Sequence, residues 1–95
     1  MIKSYKNQRL ERFHKGEKVR GLRGLDKELP IDRLDLLHAI SAISDVPKLK
    51  SLNLHRLKGG RSGHWTMNIN GPWRLVFEWR DGHAYDVELI DYHKG

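Results

Sequence analysis

The stretch His64–Ile90 reads HWTMNINGPWRLVFEWRDGHAYDVELI, and its apolar residues recur at every second position. Trp65, Met67 and Ile69 point one way, while His64, Thr66, Asn68 and Asn70 point the other. Asn70–Gly71 is a turn signal. In PWRLVFEWR the alternation resumes, with Trp73, Leu75, Phe77 and Trp79 on one face and Arg74, Val76, Glu78 and Arg80 on the other. Asp81–Gly82 is a two-residue hairpin signal, because Asp and Gly tolerate the left-handed backbone that such a turn needs. HAYDVELI supplies a last strand, with Tyr85, Val87 and Leu89 expected on the apolar side. Upstream, LNLHRL alternates imperfectly and predicts a fourth strand. The result is an antiparallel sheet of about four strands.

Before Lys50 the period is helical. Leu10 and Phe13 stand three apart among basic residues, which predicts a short helix over Tyr5–Lys15, stopped by Gly16. The charged, glycine-containing run Glu17–Asp26 reads as a loop. Ile31, Leu34, Leu37, Ile40 and Ile43 form an apolar stripe, so a second helix is expected from Leu29 or Pro30 to Ser44, where the approach of Pro47 forbids continuation. Each strand has one strongly apolar face, so both helices must cover that face and leave the other partly open. The expected architecture is α+β: two amino-terminal helices on one face of a mainly antiparallel sheet, as one domain over residues 1–95.

Composition narrows the function. The chain has 95 residues, 38% apolar and 32% charged, enough for one modest core. With no cysteine, neither disulfides nor thiolate metal sites are available, which fits a reducing cytosol. The polar start and the lack of any long apolar run predict a cytoplasmic protein with no membrane partner. Net charge is +6, which points to an anionic partner. The charge is unevenly spread: Lys48–His64 holds five Lys/Arg and no acid, whereas Asp81–Gly95 holds four acids against one lysine.

The end of the last strand carries VELIDYH. Asp91, Tyr92 and His93 would sit at one rim of the sheet, where neighbouring strands can bring His55 and Arg74 near. His, Tyr, Asp and Arg on a basic sheet face are the parts needed to cleave RNA. The ribose 2′-OH must lose a proton and the 5′-oxygen must gain one, which is acid/base work suited to histidine near neutral pH. A fixed cation stabilises the extra charge on phosphorus. No cofactor is expected. LKGGRSG lacks the spacing of a nucleotide-binding loop, and the histidines lack zinc-site spacing.

These residues occur in a combination that closely resembles one family. LHRLKG, Gly63 with Trp65, NGPWRLVFEW, DG followed by Ala84–Tyr85, and the closing DYH resemble the killer toxins of the HigB group, within the RelE/ParE toxin superfamily. The resemblance is dense from Leu54 to His93 and looser through the helical half. It implies a ribosome-dependent endoribonuclease that cuts mRNA in the decoding site, paired with a helix-turn-helix antitoxin of the HigA kind. Operator DNA would be met only through the antitoxin complex. The catalytic set it implies is His55, Arg74, Asp91, Tyr92 and His93, with Lys58 on phosphate or ribosomal RNA. Lys48, Lys50, Arg56 and Arg61 lie in the same basic segment and are expected to grip RNA phosphates beside it. The rival reading is a ParE-like inhibitor of DNA gyrase, which would have no use for His55, Arg74 and DYH.

Overall fold

A computed structural model describes residues 1–19, 28–58 and 63–91. Arg61, Tyr92 and His93 lie outside that set, as does the larger part of the segment read as a loop. Among the described residues, two helices precede a four-stranded antiparallel sheet: α1 Gln8–His14, α2 Glu28–Ala39, β1 His55–Arg56, β2 His64–Asn68, β3 Trp73–Arg80 and β4 His83–Asp91. The strands lie side by side in chain order.

α1 starts later than its apolar spacing predicts. The Asn7 side chain accepts the Leu10 N–H at 2.9 Å and so caps the helix, fixing Gln8 as its first residue. Gly16 ends it at φ +93, donating its N–H to the Phe13 carbonyl at 3.0 Å. The residues before Asn7 run instead along the outer edge of β4. Ile2 and Tyr5 bridge Ala84 and Val87 in parallel, and Lys3 N–H donates to the Ala84 carbonyl at 2.8 Å. The chain start thereby covers what would be an open sheet edge.

α2 carries Pro30 in its first turn, as expected, but stops at Ala39 rather than Ser44. The Asp45 carboxylate accepts the N–H groups of Ser41 and Ala42 at 3.2 and 3.1 Å and starts a separate 3-10 turn, Ile43–Asp45. The apolar stripe outlives the helix: Ile40 is buried, and Ile43 packs on the core. Leu34 and Leu37 of α2 lie fully buried in one cluster with Met67, Leu75 and Phe77 of the sheet.

A latch ties the edge segment to both helices. Tyr5 Oη and His14 Nδ1 are 2.5 Å apart, and His14 Nε2 lies 2.8 Å from Asp35 Oδ1. Burial, and then the charges of Glu11 and Asp35, push the Tyr5 phenol above its usual pKa.

The alternation of β3 holds as predicted, with Trp73, Leu75 and Phe77 buried in the helix-covered core and Trp79 packed against it. That of β4 is broken. Glu78 pairs with Tyr85 but Val76 pairs with Glu88, so Asp86 and Val87 together oppose Phe77. Asp86 takes φ +51, and its N–H donates to Ser4 Oγ at 2.8 Å. The bulge reverses the parity: Ala84, Val87 and Leu89 face the core, while Tyr85 stands on the other face. There the Arg80 guanidinium lies 4.1 Å from its ring centroid.

Candidate active site

The site is built on the sheet face away from the helices. Cross-strand partners share a face, so the register defines its rows. One row runs His55–Thr66–Val76–Glu88, and the next runs Asn68–Arg74–Ile90. A third holds His64, Glu78 and Tyr85. The middle of this face is less open than alternation alone implies, since Val76 is 0% and Thr66 only 2% exposed.

His55 is exposed on β1. Its Nδ1 lies 2.8 Å from the Asn53 carbonyl oxygen. A carbonyl only accepts, so Nδ1 carries the proton and the neutral ring presents Nε2 as its basic nitrogen. Asn53 holds that carbonyl from a left-handed backbone at φ +43, a conformation Asn tolerates better than most residues.

Arg74 is half-buried on β3. Its Nη1 donates to the carbonyls of Gly71 and Trp73 at 3.0 and 3.3 Å. These bonds hold one arm of the guanidinium against the β2–β3 turn. His55 and Arg74 stand two strands apart, about 10 Å across the sheet, and two residues apart along it, about 7 Å. Long side chains close that separation around a phosphodiester.

The other predicted residues fall in four groups. Asp91 is exposed at the end of β4 and pairs with Trp73, one place beyond the Arg74–Ile90 pair. Pleat alternation gives it the parity of Trp73 rather than that of Arg74. Tyr92, His93 and Arg61 lie outside the described residues. Lys48, Lys50 and Lys58 are exposed along the segment that leads into and out of β1. Arg56 belongs to the opposite parity from His55, and its guanidinium sits 5.7 Å from the Trp65 ring centroid, a cation–π contact at the sheet edge.

Two polar residues next to His55 and Arg74 on this face, Thr66 and Asn68, are among those with no role assigned from the sequence. Thr66 lies between His55 and Val76, and Asn68 lies opposite Arg74. Their polar character at alternate positions of an otherwise apolar strand was the available signal. Among the described residues, no group of three or more His, Asp or Glu is placed to hold a metal ion. No described helix is long and apolar enough to cross a membrane.

Two helices covering one face of this antiparallel sheet make the RelE-like α+β fold. Residues 3–93 match the family model described as the RelE-like toxin of the type II toxin–antitoxin system HigB, and the chain belongs to that family. The chain is similar to the endoribonuclease HigB of Proteus vulgaris, 35% identical across 98% of this chain and 100% of the relative. It is also similar to toxin HigB-1 of Vibrio cholerae, 32% identical across 99% of each. Membership of a toxin–antitoxin family implies an antitoxin partner. Neither the family nor these relatives supports the gyrase-inhibitor reading.

Proposed function

We propose that this toxin is an endoribonuclease that cleaves mRNA on the ribosome, in the decoding site, and so halts translation. The observation that carries the reading is the placement of His55 and Arg74 on one sheet face, with the His55 tautomer set by the Asn53 carbonyl. The endoribonuclease name of the Proteus vulgaris relative adds support for the activity.

The 2′-oxygen attacks the adjacent phosphorus as the 5′-oxygen leaves, and a cyclic phosphate results. His55 or His93 takes the 2′-OH proton, and the other returns a proton to the leaving oxygen. Through Nε2, His55 is suited to the first of these roles. Arg74 meets the negative charge that grows on phosphorus, with an orientation already fixed by two carbonyls. Asp91, from the exposed end of β4 at the rim rather than from the site face itself, and Tyr92 orient the scissile nucleotide. Lys58, with Lys48, Lys50, Arg56 and Arg61, holds ribosomal or messenger RNA phosphates.

The antitoxin is a helix-turn-helix protein of the HigA kind, and operator DNA is met through it. The setting is the cytoplasm, where ribosomes are. Expression of the toxin should arrest growth, and arrest should disappear in His55→Ala and Arg74→Ala variants that still fold. Full toxicity in both would remove the assignment.

A further inference from the structure

Three side chains of β2 face the candidate site with an unpaired polar atom each. His64 Nδ1, Thr66 Oγ1 and Asn68 Oδ1 are all shielded from solvent, and none has a hydrogen-bond partner among the described residues. They occur at every second residue, so they form one straight row of about 7 Å repeat. Buried polar atoms are nearly always paired, because desolvation without a partner is unfavourable. Arg33 Nε and His83 Nδ1 are orphaned too, but only on β2 do three such atoms fall in one line on the site face, which leaves that line with hydrogen-bonding capacity for a ligand.

The row runs through the middle of the proposed site. Thr66 stands next to His55, and Asn68 stands opposite Arg74. Its chemistry differs from that of its neighbours. A hydroxyl both donates and accepts, and an amide offers one acceptor and two donor hydrogens, all without charge. Such groups match the mixed donor and acceptor edge of a nucleobase, whereas a phosphate asks only for donors and finds them in Arg74. On the β1 side the row is edged by the exposed His55 side chain.

We infer that Thr66 and Asn68 receive the base edge of the nucleotide whose phosphate rests at Arg74, and so set the nucleotide preference of the cut. The inference rests on the ribonuclease reading for its ligand. Thr66 and Asn68 are binding residues in this account, and the proton transfers stay with the histidines.

The test combines binding and cleavage. Nitrogen-15-labelled toxin is titrated with a short single-stranded RNA made uncleavable by a 2′-deoxy sugar at the cut position. The Asn68 side-chain amide and the Thr66 backbone amide should shift, and shifts confined to other parts of the molecule would overturn the inference. Thr66→Val keeps the shape and removes an orphaned hydroxyl. It should unfold at or above the wild-type temperature, yet cut about tenfold more slowly. Asn68→Ala should redistribute the cut sites among nucleotides. Wild-type rate and pattern in both variants would contradict the role, as would a Thr66→Val protein that loses activity because it melts early. An even loss at all sites in Asn68→Ala would assign the row to the sugar rather than the base and overturn the specificity claim. If the wild type cuts no mRNA while Thr66 and Asn68 still shift, the base-binding row stands and the enzymatic reading falls.

Discussion

His55 Nδ1 donates to the Asn53 carbonyl at 2.8 Å, across only one intervening residue. The imidazole is thus oriented by local backbone rather than by another side chain, and the bond fixes which nitrogen is free to act as base. Because His55 is exposed, His55→Ala should fold as the wild type does. It should lose about a hundredfold or more in cleavage, the usual worth of an acid/base group. Parallel melts and cleavage assays check this, and a variant that cuts at the wild-type rate would exclude His55.

Asn53 makes a finer test of the same bond. Its left-handed φ of +43 suits Gly as well as Asn. Asn53→Gly should keep both fold and cleavage. Asn53→Val forces a β-branched residue into that conformation, at a cost of about 1–2 kcal/mol, and displaces the carbonyl under His55. Its cleavage should fall by more than its loss of folded protein explains.

The β3–β4 turn is held by shape. Asp81 and Gly82 both take positive φ, +52 and +80. A Cβ on Gly82 would stand 3.0 Å from the Ser41 carbonyl oxygen in the loop after α2. Gly82→Ala should therefore cost more than the about 1 kcal/mol of a simple glycine replacement, lowering Tm by several degrees or more. Thermal denaturation reads this directly, and an unchanged Tm would contradict the close approach.

Tyr5 gives a pH signature. Its phenol is raised above the usual value of about 10, chiefly by burial, so the fold favours its neutral form. That contribution is whole below the unfolded pKa and is lost as pH rises through the higher folded value. Tyr5→Phe removes the bond to His14 and should cost about 1 kcal/mol at neutral pH. The difference between wild type and variant should shrink above about pH 10. A difference that stays constant or widens would be against this account.

Much of the fold was legible because pattern and packing agree. Two turn signals and the Trp73–Trp79 alternation locate the central hairpin, and the α2 stripe marks its buried side. What stayed hidden depends on contacts between distant residues. Nothing local says that residues before Asn7 will lie against β4 rather than join α1, since that pairing is made with Ala84 and Val87. The bulge at Asp86 depends partly on Ser4, and it puts Tyr85 on the face opposite to the one period two predicts. On the site face, His55 and Arg74 follow from alternation. The tautomer of His55 does not, because it depends on a carbonyl set by the conformation of Asn53.

Charge should show in the salt response. Lys48, Lys50 and Lys58 are exposed, so association with programmed ribosomes should weaken as salt rises. Replacing Lys58 with Ala should flatten the logarithmic salt slope by about 0.7–0.9, the effect of one phosphate contact. An unaltered slope would take Lys58 off the RNA.

Primer extension on a defined mRNA, with and without programmed ribosomes, tests the central claim most directly when wild type and His55→Ala are run side by side. Cuts should need the ribosome and disappear in the variant. Growth arrest by the wild type without any cut, or cuts that persist undiminished in His55→Ala, would contradict it.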